Sequence, residues 1–234
     1  AGGVITPPKT YFEKVQAVLK KYDVLFVADE VICGFGRTGK MFATETYDLK
    51  PDFITVAKAL SSAYLPISGV MMTQEVFDGI SRQSGELGVL GHGFTYSGPP
   101  AAAAVALETL KIYEERDILG HIASISGRLQ DGMRKFASHP LVGEVRGIGL
   151  IGAIELVKDK ATHESFDVKD GIGAYCQDRA QEHGLITRGM GDSLAFCPPL
   201  IITAAEIDEM LSRFGKALDD TAAMVDQKKL AKVA

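Results

Sequence analysis

"VLFVADEVICGFGRTGKM" (residues 24–41) decides how this chain folds. It opens on a continuous apolar run, Val24 to Ala28, as expected of a parallel strand covered on both faces. Two acids, Asp29 and Glu30, close the run, and a glycine-rich loop follows. Gly34, Gly36 and Gly39 satisfy G-x-G-x-x-G, while Gly34, Gly39 and Lys40 satisfy the start of G-x-x-x-x-G-K. Neither pattern carries its chemistry here. A dinucleotide site needs the glycines at the strand-to-helix turn, with a long helix facing the pyrophosphate. Here "DEVIC" intervenes, its acids would repel a pyrophosphate, and "KMFATETYDLKPD" is too short and irregular for that helix. The second pattern fails at Met41, which cannot ligate magnesium as Ser or Thr would. The glycines therefore read as tight turns in a surface loop.

Working outward, "FITVA" (53–57) and "SGVMMT" (68–73) are two further apolar runs, and helical spacing marks Phe12, Val15, Val18 and Leu19. A helix is expected near Gln74 to Ser81, a loop over residues 82–98, and a long helix from Pro99. Alternating strands and helices predict a largely parallel α/β sheet. Beyond Asp117 the character changes. A helix near 121–137 leads into "LVGEVRGIGLIGAIELV", which reads as paired antiparallel strands, and a second helix spans about 170–183. "LITR" and "LAFCPP" read as short strands, and Thr203 with Glu206 forms a capping box for a final helix. The expected organisation is thus a large-domain part over residues 1–119 and a smaller α+β domain over 120–234.

Two polar residues end apolar strands: Asp29 follows "VLFVA" and Lys58 follows "FITVA". Parallel strands open onto one sheet edge, so a carboxylate and an amine would reach the same crevice, where α/β proteins do chemistry. A plain ion pair, or two solvated groups, is the competing reading. Apolar Ala57, Ala59 and Leu60 would desolvate the lysine, which marks it as a candidate amine nucleophile.

Composition excludes several classes. A net charge of −5 offers no bulk attraction for nucleic acid or anionic membrane, and the basic tail Lys228, Lys229 and Lys232 reads as a solvated helix end. No apolar run approaches the ~20 residues of a membrane span, and no signal-peptide pattern is present. Three cysteines without C-x-x-C spacing favour a reducing, cytoplasmic compartment. The five histidines lack metal-ligand spacing, so no metal site is expected, and His92 reads as a loop residue.

"LFVADEVICGFGRTGKMFA", "PDFITVAKAL", "HGFTYSG" and "HPLVGEVRGIGLI" together resemble the class III pyridoxal-phosphate-dependent aminotransferases of fold type I. The resemblance runs from "GGVITPP" to the last helix and is nearest to ω-amino-acid or amine:pyruvate transaminases. It implies a fold type I large domain, mainly of parallel sheet, plus the smaller α+β domain. It implies that Lys58 forms a Schiff base with pyridoxal 5'-phosphate, that Asp29 pairs with the pyridinium nitrogen, and that Val31 packs on one face of the ring. It further implies that Thr95 reaches the cofactor phosphate of a neighbouring subunit, in a homodimer with shared sites, and that Arg188 grips a substrate carboxylate. The expected reaction transfers an amino group from an amine or ω-amino acid to a keto acid such as pyruvate.

Two features depart from the family. "SGPP" stands where "SGHP" is usual, so Pro99 replaces a histidine. Family members are roughly twice as long, and their N-terminal half supplies the phosphate loop and the stacking aromatic ring. The chain, opening "AGGVITPP" without Met, therefore reads as a fragment, a nicked product or one of two chains, needing the other half for activity. Other readings are a different donor (ornithine, γ-aminobutyrate or diaminopelargonate type), another pyridoxal-phosphate reaction, or a non-catalytic association module. Arg37 and Lys40 have no assigned role.

Overall fold

The computed structural model describes residues 2–93 and 95–230. The chain forms two compact units, one of Pro7–Leu119 and one of Gly120 onward with the N-terminal segment through Thr6.

The first unit begins with α1 (Tyr11–Lys21). Phe12, Val15, Gln16 and Leu19 are its half-buried positions, whereas Val18, expected on the apolar stripe, is exposed. Phe12 stacks at 5.2 Å on Tyr47, and the Gln16 side chain accepts from the Lys50 N–H at 2.8 Å, which binds the helix to the 47–50 segment. β1 (Val27–Asp29) is shorter than its apolar run. The reason is Asp52, whose carboxylate takes the Phe26 N–H at 2.7 Å before the ladder begins. After α2 (Ala43–Thr46) come β2 (Phe53–Val56), a 3-10 turn over Lys58–Ser61, and β3 (Gly69–Met72).

The strand order is β1-β2-β3. β1 pairs with β2 in parallel, with Asp29 opposite Thr55, but β3 is antiparallel to β2, contrary to the parallel expectation. A parallel return needs a crossover of a dozen or more residues, usually a helix. Of the twelve residues 57–68 between these strands only Lys58–Ser61 form a regular element, a single 3-10 turn, so no helix crosses the sheet and the chain doubles back. α3 (Gln74–Leu87) outruns its expected end at Ser81. Arg82, Gln83, Glu86 and Leu87 are good helix formers that carry it across Ser84 and Gly85. Gly88, at φ 76°, terminates it in the left-handed conformation that glycine adopts without a Cβ clash. α4 (Pro100–Glu115) follows, with Pro99 at its N-cap in an extended conformation. The departure from the family's histidine therefore sits at a helix start, where a fixed φ is compatible with the turn.

The second unit is a layer of helices on an antiparallel sheet. α5 (Ile118–Arg134) leads to the hairpin β4 (Val142–Ile148) and β5 (Ile151–Leu156). Then come α6 (Ile172–Glu182), β6 (Arg188–Met190), β7 (Ser193–Phe196) and α7 (Ala204–Lys228). The sheet order is β4-β5-β7-β6. At the hairpin a side chain on Gly147 would meet the Ile151 carbonyl at 2.6 Å, so only glycine fits. The Gln130 amide donates to the Gly149 carbonyl at 2.9 Å and closes the turn.

Ile122, Leu129, Met133, Ile154, Leu194, Ile207, Phe214 and Leu218 are buried at the helix–sheet interface. Each such side chain contributes about 1.5–3 kcal/mol by leaving water. Phe214 meets Phe136 and Phe196 edge to face, at 5.2 and 4.9 Å. The capping box forms as expected: Thr203 Oγ1 accepts from the Glu206 N–H at 3.3 Å, and Glu206 accepts from the Thr203 N–H at 2.7 Å. Lys228 and Lys229 end α7 exposed, and Lys232 lies outside the described residues.

Candidate functional site

β1 and β2 run in parallel, so their carboxyl ends share one edge of the sheet. Asp29 is the last residue of β1, and Lys58 stands two residues beyond β2. The Asp29 carboxylate is exposed but held. Its Oδ1 accepts from the Val31 N–H at 3.0 Å and from the Thr55 hydroxyl at 3.2 Å. Among the described residues nothing donates to Oδ2. Val31, half-buried, is thus tied to Asp29 through its backbone.

Lys58 opens the 3-10 turn with φ 46°, a left-handed conformation that costs a non-glycine residue on the order of 1–3 kcal/mol. The turn is braced. The Leu60 N–H reaches the Ala57 carbonyl at 3.1 Å, buried Ser61 donates to the Leu65 carbonyl at 2.6 Å, and α4 packs against it. The lysine side chain is exposed. Neighbours in sequence flank a turn residue without enclosing it.

Glu30 was legible only as a charge adverse to pyrophosphate, but the fold gives it a structural task. It is 2% exposed, and its carboxylate accepts from the N–H groups of Ala43 and Thr44 at 3.0 and 2.6 Å. Its own carbonyl accepts from Gly34 at 2.8 Å. The glycine loop is thereby pinned at both ends. Inside it the Gly39 N–H binds the Gly36 carbonyl at 2.9 Å and the Gly36 N–H binds the Met41 carbonyl at 3.3 Å. The N–H groups of all three glycines are thus spent on backbone carbonyls of this segment, and none of the three is left to hold a phosphate. Tyr113 of α4 donates to the Phe35 carbonyl at 3.0 Å, and burial pushes its phenol up while Arg37 opposes the shift. That gives Arg37 an electrostatic neighbour; Lys40 is exposed. Burial, then the Glu30 and Asp29 carboxylates, push the Cys33 thiol up, so it is a poor nucleophile.

Asp29 and Val31 thus stand at the end of β1 and Lys58 just past the end of its parallel partner β2, with Thr55, which the sequence did not single out, bound to Asp29. Thr55 had a signal, as the single hydroxyl in the run "FITVA". Thr95 is exposed in a turn before α4, and no described contact joins it to Asp29 or Lys58. Arg188 is the exposed first residue of β6, in the other unit. No group of three or more potential metal ligands occurs among the described residues. No helix of the described residues is long and apolar enough to cross a membrane.

The family model for Aminotransferase class-III matches residues 1–218. Gamma aminobutyrate transaminase 3, chloroplastic, of Solanum lycopersicum is 53% identical over 232 residues, which is 99% of this chain and 45% of that protein. Gamma-aminobutyrate transaminase 1, mitochondrial, of Oryza sativa subsp. japonica is 51% identical over 99% of this chain and 45% of its own length. The crystal structure of the omega transaminase from Pseudomonas jessenii in complex with PMP superposes with a TM-score of 0.93 at 53% identity. That match covers 96% of this chain and 49% of that one. The chain thus spans about half the length of the relatives it matches.

Proposed function

The chain belongs to the class III aminotransferase family, and on that premise we propose that it supplies the lysine-bearing half of a pyridoxal-phosphate-dependent aminotransferase. One observation carries the proposal. Asp29 ends a strand with one carboxylate oxygen anchored and the other open, beside the parallel strand that runs into Lys58. An open carboxylate oxygen suits a protonated ring nitrogen, and an exposed primary amine suits an aldehyde, so the residues present fit the cofactor. Pyridoxal 5'-phosphate, when bound, supplies an aldehyde to carry the amino group and a protonated ring to accept electrons.

The chain's own side chains do the rest. Asp29 Oδ2 holds the proton on the ring nitrogen. Lys58 Nζ would hold the cofactor by its aldehyde carbon and, as a free amine, would take the proton from the donor carbon and deliver it to that cofactor carbon. Val31 packs on one face of the ring. Thr95 reaches the cofactor phosphate of a neighbouring subunit, in a homodimer with shared sites. Arg188 binds the substrate carboxylate with its planar fork, through two parallel hydrogen bonds. The donor is an amine or ω-amino acid and the acceptor a keto acid such as pyruvate. γ-Aminobutyrate is the ω-amino acid in the names of the plant relatives. The N-terminal half of a parent chain completes the site. The three free cysteines favour a reducing compartment such as the cytoplasm, to which the relatives' names add chloroplast and mitochondrion.

Borohydride reduction of the full-length protein with bound cofactor, followed by peptide mapping, tests the core of this reading. The cofactor is expected on Lys58; its recovery on another lysine sinks the proposal. The 234-residue chain alone is expected to bind the cofactor poorly, with little visible absorbance.

A further inference from the structure

We infer that Thr55 is a positioning residue, whose hydroxyl fixes the plane of the Asp29 carboxylate and so aims its open oxygen at the cofactor's ring nitrogen. The inference rests on the reading of Asp29 given above and extends it to a residue that touches no substrate.

Thr55 lies on β2 as the parallel partner of Asp29, and its backbone and side chain both act there. Its carbonyl accepts from the Glu30 N–H at 3.0 Å, fixing the chain just past Asp29. Its hydroxyl donates to Asp29 Oδ1 at 3.2 Å, where the Val31 N–H also donates at 3.0 Å. Both donors fall on one oxygen, so the other is the one oxygen open to a further donor. The terminal torsion of an aspartate is broad, so a carboxylate with fewer anchors swings its plane away from a single direction. Threonine suits the restraint because its β-branched side chain is stiff about χ1 in a strand. The remaining residues of Phe53–Ala57 are apolar, so packing alone gives no reason for a hydroxyl at this position.

The test uses the full-length protein. Thr55→Val removes the donor at nearly constant shape, Thr55→Ser keeps it, and Asp29→Asn serves as the control for the underlying reading. Two readouts are independent of turnover: the dissociation constant of the cofactor, and the pH dependence of its visible absorbance when bound. Thr55→Val is expected to weaken cofactor binding about tenfold, the size of one net hydrogen bond to a charged group, and to shift the pH midpoint. Thr55→Ser is expected to stay within about twofold of the parent, because its donor remains. If Asp29→Asn weakens binding while Thr55→Val matches the parent in both readouts, the inference about Thr55 is overturned and the reading of Asp29 stands. If Asp29→Asn changes neither readout, both fall. Should Thr55→Val not fold, Thr55→Ser against Thr55→Ala gives the same contrast: both lack the methyl group and one keeps the donor. Equal behaviour of that pair overturns the inference.

Discussion

The Arg146 guanidinium donates through Nε to the carbonyl of Gly3, 143 residues away along the chain, at 2.7 Å. Arg146 is 7% exposed and also binds Glu144 at 2.8 Å, Ser193 at 3.0 Å and Glu155. Gly3 stands at φ 87°, and a Cβ there would lie 2.8 Å from the guanidinium Nη2. One buried cation thus ties the N-terminal segment to β4, β5 and β7.

Arg146→Met should therefore destabilise this unit by about 2–4 kcal/mol, since it strands the Gly3 carbonyl and uncovers two carboxylates that solvent already reaches in part. Arg146→Lys should recover only a fraction, because an ammonium cannot reproduce a fork that donates in four directions. Urea unfolding measures both, and equal stability of parent and Arg146→Met would refute the account.

Glu30→Gln keeps the shape of a buried side chain but turns an amide group toward two backbone donors. One N–H loses its acceptor, at a cost of about 1–3 kcal/mol. Hydrogen exchange at Ala43 and Thr44 should accelerate, and the 33–41 loop should become more sensitive to protease. Unchanged exchange at both amides would contradict the clamp.

Stability of the second unit should rise with pH just below 6.5. Burial is the main cause that holds the His139 imidazole below its ordinary value of 6.5; Asp219 opposes it and Lys160 reinforces it. Its Nδ1 accepts from the Leu141 N–H at 3.2 Å, a bond that protonation there would break. Between the folded and unfolded values the unfolded chain binds more proton, so stability falls as pH drops through that window. His139→Asn, which retains an acceptor but does not titrate, should flatten the dependence in thermal melts from pH 5 to 7.5. A variant with the parent's slope would remove His139 as the cause.

The three thiols should separate by reactivity. Cys197 is exposed, Cys33 is half-buried with its thiol pushed up, and buried Cys176 is pushed up to about 11, mainly by burial. At pH 8 an alkylating reagent should label Cys197 first, Cys33 slowly, and Cys176 only on unfolding. Mass mapping of the native protein reads the order, and early labelling of Cys176 would contradict its burial.

Much of the architecture was legible residue by residue. The apolar runs ending at Asp29 and before Lys58, the β4–β5 hairpin and the Thr203–Glu206 cap are local patterns, set by neighbours within a few residues. The errors were local ambiguities decided elsewhere. The glycine-rich stretch 82–98 suggested a loop, yet the helix formers at its start carry α3 to Leu87. Three apolar runs suggested parallel strands, yet a connection with no crossing helix turns β3 back.

What the sequence by itself determined is the kind of each element and the side chains delivered to its ends, because periodicity and capping depend on adjacent residues. Tertiary structure alone decided the partnerships. Asp29 and Thr55 stand 26 residues apart, Arg146 and Gly3 143 apart, and nothing in either neighbourhood announces the other. It also made Glu30 a buried clamp and left Lys58 exposed. Hydrogen-bond geometry and burial depend on which elements are brought side by side, and that is a property of the folded chain rather than of any stretch within it.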